Sequence, residues 1–213
     1  MEEYCIKNQI NYKKIKSIHS PRTSFIKFSF SMLNVLNSIL PIDKNHIFES
    51  FDELSKLQKQ ISSQNLSDSN PALNLANFLS EIPLIYYPYG LQSSAIRFKS
   101  SMQENAKTHA IIEDIVEACH NGIVAWEKPS IIQPILLRGY DDYVKTRERF
   151  EIIKEFFIKN NIEFKEINSV SGNILTKLIT LTYLLDYASI YRAILSGIDP
   201  TPVSSINFVK SMI

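Results

Sequence analysis

Between Glu104 and Glu127 the sequence reads ENAKTHAIIEDIVEACHNGIVAWE. Glu104-Asn105 and His120-Asn121 set a carboxylate and an imidazole, each followed by Asn, within one stretch. A partly buried Glu with a raised pKa can act as a base, and a His titrates near neutrality and can give or take a proton. General acid–base catalysis is the chemistry such a pair suits. The same stretch also reads as the polar face of a helical hairpin. Taken singly, Glu104 is an exposed helix carboxylate and His120 a capped core histidine. Glu113, Asp114 and Glu117 read as helix-surface or supporting groups.

Other chemistry finds less support in the residues. Cys119 precedes His120 directly, but adjacent helical residues point about 100° apart, so they do not pair as nucleophile and base. Cys119 is read as a buried structural thiol. His19, His46, His109 and His120 show no HxxxH or HxH spacing and no cysteine pair joins them, so no metal site is expected. SVSGN, Ser169 to Asn173, resembles a phosphate cradle ahead of a helix. It equally resembles any small polar turn between a strand and a helix, and the turn is favoured.

The elements that must position these groups follow from periodicity. Pro21 in Ser20-Pro21 opens a helix whose apolar residues run from Phe25 to Leu40, and Pro41 stops it. Ile47, Phe51, Leu54, Leu57 and Ile61 share a face of a second helix. Asn70-Pro71 caps a third through Leu79. IPLIYYPYG then reads as a buried strand, SIIQPILLRG as a second with Pro134 at an irregular or edge start, and IEFKEINSV as a third. Helical stretches lie between the strands, and a long helix runs from about Gly172 to Ser196. Strands alternating with helices predict an α/β fold, a parallel sheet covered on both faces as a three-layer αβα sandwich behind a helical extension.

Bulk properties exclude several classes. The 213 residues are 45% hydrophobic and 21% charged, with 23 basic against 22 acidic residues, so neither disorder nor a nucleic-acid surface is indicated. The two cysteines, Cys5 and Cys119, make no disulfide framework. MEEYCIKNQINYKK has no apolar signal core, and the apolar runs are too short to span a bilayer. A cytoplasmic protein is expected, with no nucleic-acid or membrane partner.

Four stretches, taken in order, carry a resemblance: SPRTSF, PLIYYPYGLQSSAIRFKSSMQENAK, EACHNGIVAWE and LTYLLDYASIYRAILSGIDPTPVSSINFVK. Together they resemble the bifunctional phosphoglucose/phosphomannose isomerases of the sugar-isomerase (SIS) fold. That family interconverts glucose 6-phosphate or mannose 6-phosphate with fructose 6-phosphate through a cis-enediol, without metal or organic cofactor. The resemblance implies Glu104 as the base moving the proton between C1 and C2. His120 is implied as the ring-opening group, contributed across a homodimer to the neighbouring subunit's site. It implies Arg22 as the cation stabilising the enediolate, Lys210 as an aid to ring opening and Thr201 as part of the sugar pocket. Read from its residues alone, Arg22 is a solvated first-turn group, although a cation there opposes the helix dipole.

Family members carry a further lobe ahead of the Pro-Arg motif, with a Gly/Ser-rich loop that cradles the phosphate. Only 21 residues precede Arg22, and none resembles that loop. The expected organisation is a tail over 1–19, a helical extension over 20–80 and a C-terminal SIS-like isomerase domain over 81–213. The phosphosugar substrate then needs a phosphate-binding lobe carried separately. The alternative reading is a non-catalytic phosphosugar-binding or structural dimerisation module.

Overall fold

The computed structural model describes residues 1–10, 12–16 and 20–213, so His19, weighed above as a metal ligand, lies outside the described residues. Two compact units divide the chain, Met1–Asn45 and His46–Ile213. The first carries α1 (Glu2–Lys7), a 3-10 turn (Arg22–Ser24) and α2 (Phe25–Val35). Pro21 leads into the 3-10 turn, since its fixed φ is already helical. The α2 helix ends at Val35, well before Pro41. Asn34, Asn37 and Ser38 are poor helix formers and end it without the proline.

The second unit begins in α3 (Lys44–Ile61) and continues with α4 (Pro71–Phe78). Asn70 caps α4 through its side-chain oxygen, which accepts the Ala72 and Leu73 N–H groups at 3.0 Å. From there the order is β1 (Ile82–Tyr87), α5 (Gln92–Glu104), β2 (Ile111–Asp114), α6 (Ile115–Ala118) and a 3-10 segment (Gly122–Glu127). It ends with β3 (Ile132–Arg138), α7 (Val144–Lys159), β4 (Lys165–Asn168), α8 (Ile174–Leu195) and α9 (Ser204–Ser211).

All four strands are parallel, in the order β2-β1-β3-β4. Successive strand side chains point to opposite faces, so each strand feeds two cores. Ile85, Tyr87, Ile135 and Leu137 pack with α4, α5 and α8, joined by Leu57 and Ile61 of α3. Leu84, Tyr86 and Leu136 face the other way, against Ile115, Trp126, Phe150 and Phe157. The result is the three-layer α/β sandwich with a parallel sheet.

Three details correct or extend the sequence reading. The β2 strand went unseen: four residues of Ile-Ile-Glu-Asp at a sheet edge are too few and too exposed to show an alternation. Glu113 and Asp114 therefore lie on a strand, and the Asp114 carboxylate caps α6 by accepting the Val116 N–H at 2.8 Å. Pro134 lies at an edge-like start, as read, but of a strand that runs on into the interior of the sheet. Pairing with β4 begins only at Ile135, so at Pro134 itself β3 has one neighbour and one open side, where a residue without an N–H is tolerated. Finally, α8 is long and apolar enough to cross a membrane by length and composition, although no single apolar run is. More than half of that stretch is buried within the protein, as befits the core helix beneath α4 and α5.

SVSGN forms the turn between β4 and α8. The Asn173 side chain caps α8 at the Thr176 N–H, 3.1 Å away. The Glu49 carboxylate of α3 accepts the Asn173 N–H at 3.1 Å and lies against Gly172, whose φ of +122° suits glycine alone. An anion of the chain's own thus occupies the place where a phosphate would bind.

Phe157 is fully buried and meets Tyr86, Trp126, Phe156 and Phe164 edge-on or tilted. Phe157→Ala is expected to cost about 3–5 kcal/mol, read as a lower urea midpoint with folding retained. Hydrogen bonds from the Asn173 side chain and backbone hold the Glu49 carboxyl below its ordinary value. Its contribution to stability is present above the ordinary carboxylate pKa and is lost as pH falls through the lowered value. Glu49→Gln should flatten that acid limb in thermal melts while leaving the melting curve near neutrality two-state.

Candidate active site

The residue Glu104 closes α5, and a seam of hydrogen bonds to α8 sets where α5 ends. The seam runs down α5 at helical spacing through Ser94, Arg97, Ser101 and Asn105. Ser94 donates to the Leu178 carbonyl at 3.3 Å. Arg97 grips Asp186 with two nitrogens, Nε to Oδ1 at 3.1 Å and Nη2 to Oδ2 at 2.9 Å. The Ser101 hydroxyl donates to the same carboxylate. Asn105, itself buried, donates to Ser189 Oγ at 2.8 Å, and Ser189 donates to the Asp186 carbonyl at 2.7 Å. Buried groups of this kind are stable only when paired, so one register of α5 on α8 satisfies them all. Glu104, half-buried, is carried on the turn so fixed.

Beyond Glu104 the chain turns through Lys107, whose φ of +55° is left-handed and uncommon for a side-chain-bearing residue. The Lys107 ammonium is held on two sides. It donates to the Glu104 carbonyl at 2.5 Å and to the Pro202 carbonyl at 2.7 Å. The ENAK turn and the DPTP segment after α8 thereby meet across one cation. Asp199 shapes that segment by accepting the Thr201 N–H at 2.8 Å. Hydrogen bonds from Thr201 hold the Asp199 carboxyl below its ordinary value, and the Lys107 charge lowers it further. Thr201 is exposed beside this junction. Sequence reasoning passed over Lys107 and Asp199, although both lie inside motifs it had quoted.

The other expected residues lie elsewhere. His120 follows α6, in a turn where its N–H donates to the Glu117 carbonyl at 2.9 Å, and its side chain is exposed. Glu104 precedes β2 and His120 follows it, so one chain carries them toward opposite ends of a strand about 10 Å long. Lys210 is exposed on α9, a helix with no buried residue. Arg22 opens the 3-10 turn of the first unit and is half-buried. Cys119 is half-buried rather than buried; burial pushes its thiol up, against a weaker downward pull from Arg149, which disfavours the nucleophilic thiolate. Among the described residues, no three His, Cys, Asp or Glu side chains gather as a metal would require.

A cavity of about 230 Å³ lies outside the carboxyl ends of β1 and β3, where the strand order reverses and open α/β sheets take their ligands. Tyr89, Asp141, Asp142, Tyr143 and Lys177 are among its lining. The Lys177 ammonium is already paired with Asp141, whose carboxyl that hydrogen bond lowers. Two carboxylates against one occupied lysine make a poor lining for a phosphate.

With this geometry in view, comparison with known proteins is decisive. Residues 68–213 match the bacterial phospho-glucose isomerase C-terminal SIS domain. The chain belongs to that family. A bifunctional phosphoglucose/phosphomannose isomerase from Caldicellulosiruptor bescii is 30% identical over 99% of this chain and 65% of its own length. The protein of the same name from Aquifex aeolicus is 23% identical, over 85% of this chain and 55% of its own length. This SIS chain therefore spans roughly half to two thirds of the length of such relatives. Among solved structures, a glucose-6-phosphate isomerase like protein from Thermus thermophilus shares the fold at a TM-score of 0.61 and 19% identity, covering 74% of this chain and 54% of that one. Tagatose-6-phosphate ketose/aldose isomerase from Escherichia coli shares it at a TM-score of 0.59 and 10% identity, over 79% of this chain and 49% of that one.

Lys107→Met keeps the stem but removes the cation between the two SIS-domain segments. Amide exchange at Thr201 and Val203 should quicken by roughly tenfold or more, while core amides of β1 and α8 hold their protection. Unchanged exchange at Thr201 would show that Lys107 does not hold the junction.

Proposed function

We propose that this chain is the isomerisation half of an aldose–ketose phosphosugar isomerase, acting on glucose 6-phosphate or mannose 6-phosphate to give fructose 6-phosphate. The observation that carries the reading is the Glu104 turn, locked to α8 and tied by Lys107 to the Thr201 segment. Membership of the SIS family and the names of its relatives support it. His120 gives a proton to the ring oxygen as its bond to C1 breaks, and the C1 hydroxyl loses its proton to solvent, leaving the open-chain aldehyde. Glu104 then removes the C2 proton to give the cis-enediolate and returns it at C1 while the O2 hydroxyl proton passes to O1, leaving the 2-ketose. Arg22, permanently charged, stabilises the enediolate oxygen, Lys210 assists ring opening, and Thr201 contacts the sugar. No cofactor takes part.

The opposite placement of Glu104 and His120 about β2 supports a homodimer in which His120 serves the neighbouring subunit's site. The acidic crevice and the occupied SVSGN turn support a phosphate anchor supplied by a separate lobe, whose binding energy positions the reacting carbons. On this reading 1–19 is a tail, 20–80 the helical extension and 81–213 the isomerase domain of a cytoplasmic enzyme of sugar metabolism.

The test is solvent-proton exchange at C2 of glucose 6-phosphate, followed by deuterium incorporation with the complementary lobe supplied. Glu104→Gln should lower exchange by roughly 10²–10⁴-fold while phosphosugar still raises the melting temperature. Wild-type protein that is stabilised by phosphosugar yet exchanges nothing would instead be a binding module. Absence of both would leave a dimerisation domain.

A further inference from the structure

The segment that bears His120 is pinned from beneath at both ends. Tyr86 of β1 and Glu113 of β2 are register partners, so their side chains rise from the same face of the sheet. At the far end of the 3-10 segment, Trp126 Nε1 donates to the Tyr86 hydroxyl at 2.9 Å. At the near end, the Glu113 carboxyl lies over Gly122. A Cβ at Gly122 would stand 2.5 Å from Glu113 Oε1 and 2.7 Å from Oε2, so a side chain there would push the carboxyl aside. The glycine here serves close approach rather than backbone freedom, since its φ is not in the left-handed region.

The carboxyl at that spot is half-buried. Among the described residues no hydrogen-bond donor engages it, and burial, then the charge of Glu117, pushes its pKa up. A Val or Thr on the strand would be the cheaper choice. What the carboxyl does supply is contact with the residue two positions beyond His120. Asn121 N–H returns to the Glu117 carbonyl at 3.0 Å, and Val124 N–H to the Asn121 carbonyl at 3.2 Å.

We propose that Glu113 is the positioning residue of His120, its carboxyl laid over Gly122 fixing the turn that projects the imidazole. The proposal rests on the reading of His120 as the ring-opening group. Glu113 touches neither substrate nor imidazole in this role; it acts through the backbone of Gly122. Shape carries the effect, so glutamine in its place serves nearly as well and alanine does not.

The full chain, labelled with ¹⁵N, gives ring signals from its four histidines, and His120→Gln assigns that of His120. In Glu113→Ala the His120 ring signals should shift and broaden, with those of His46 and His109 unchanged. Glu113→Gln should restore the wild-type signals, and Gly122→Ala, which evicts the carboxyl, should reproduce those of Glu113→Ala. With the complementary lobe present, Glu113→Ala should lower kcat for the cyclic hexose phosphate roughly tenfold at little-changed KM. Exchange on a four-carbon aldose 4-phosphate, which cannot close a ring, should be unaffected. Identical His120 signals in Glu113→Ala and wild type, or a glutamine variant that fails to restore them, would overturn the proposal. A protein that exchanges no substrate in any form, but shows the His120 response and its rescue, leaves the Glu113 contact supported and removes the isomerase reading instead.

Discussion

Buried polar groups must find partners, and the seam between α5 and α8 is where this chain meets that demand. Arg97, Ser101 and Asn105 on one helix reach Asp186 and Ser189 on the other, with Ser94 bonded further up. An apolar interface tolerates small slides, because dispersion and hydrophobic burial are non-directional. Directed bonds between buried groups do not tolerate them: a shift by one residue would leave a guanidinium and a carboxylate unpaired. The seam therefore holds α5 in one register over the sheet. The position of Glu104, and of the Lys107 turn beyond it, follows from that register.

The sheet imposes the second constraint. A parallel sheet needs a long crossover between neighbouring strands, and α5 makes that return from the end of β1 to the start of β2. A residue at the end of the crossover helix and a residue after the next strand are thereby sent to opposite ends of the sheet. Glu104 and His120 are such a pair. The topology that makes the domain stable thus separates these two side chains within one chain. It also sends the C-terminal end of α8 back toward Glu104, where Pro202 meets Lys107.

Local sequence carried much of the fold. The β1, β3 and β4 strands lie where β-branched and aromatic runs indicate, and Asn70-Pro71 caps α4 as its side-chain chemistry implies. The β2 strand escaped because an edge strand of four residues has no period to read and owes its pairing to β1. Pro134 marked an edge-like start correctly but said nothing of the strand beyond it, because proline reports only on its own missing N–H; from Ile135 on the strand is interior. The SVSGN turn was legible as a turn, but its occupant was not, since Glu49 lies 124 residues away.

By itself, the sequence determined the alternation of strands and helices, the helix caps and the ordered motifs that place the chain in its family. These are local properties of backbone preference and side-chain periodicity, or patterns of identity along a line. Only the tertiary structure decided which polar residues are partners, that Lys107 bridges two distant segments, that an internal carboxylate fills the α8 N-terminus, and that Glu113 lies over Gly122 beside His120. Each is a contact between residues distant in sequence or on different elements, selected because burial makes an unmet hydrogen bond or an overlapping atom too costly to leave in place.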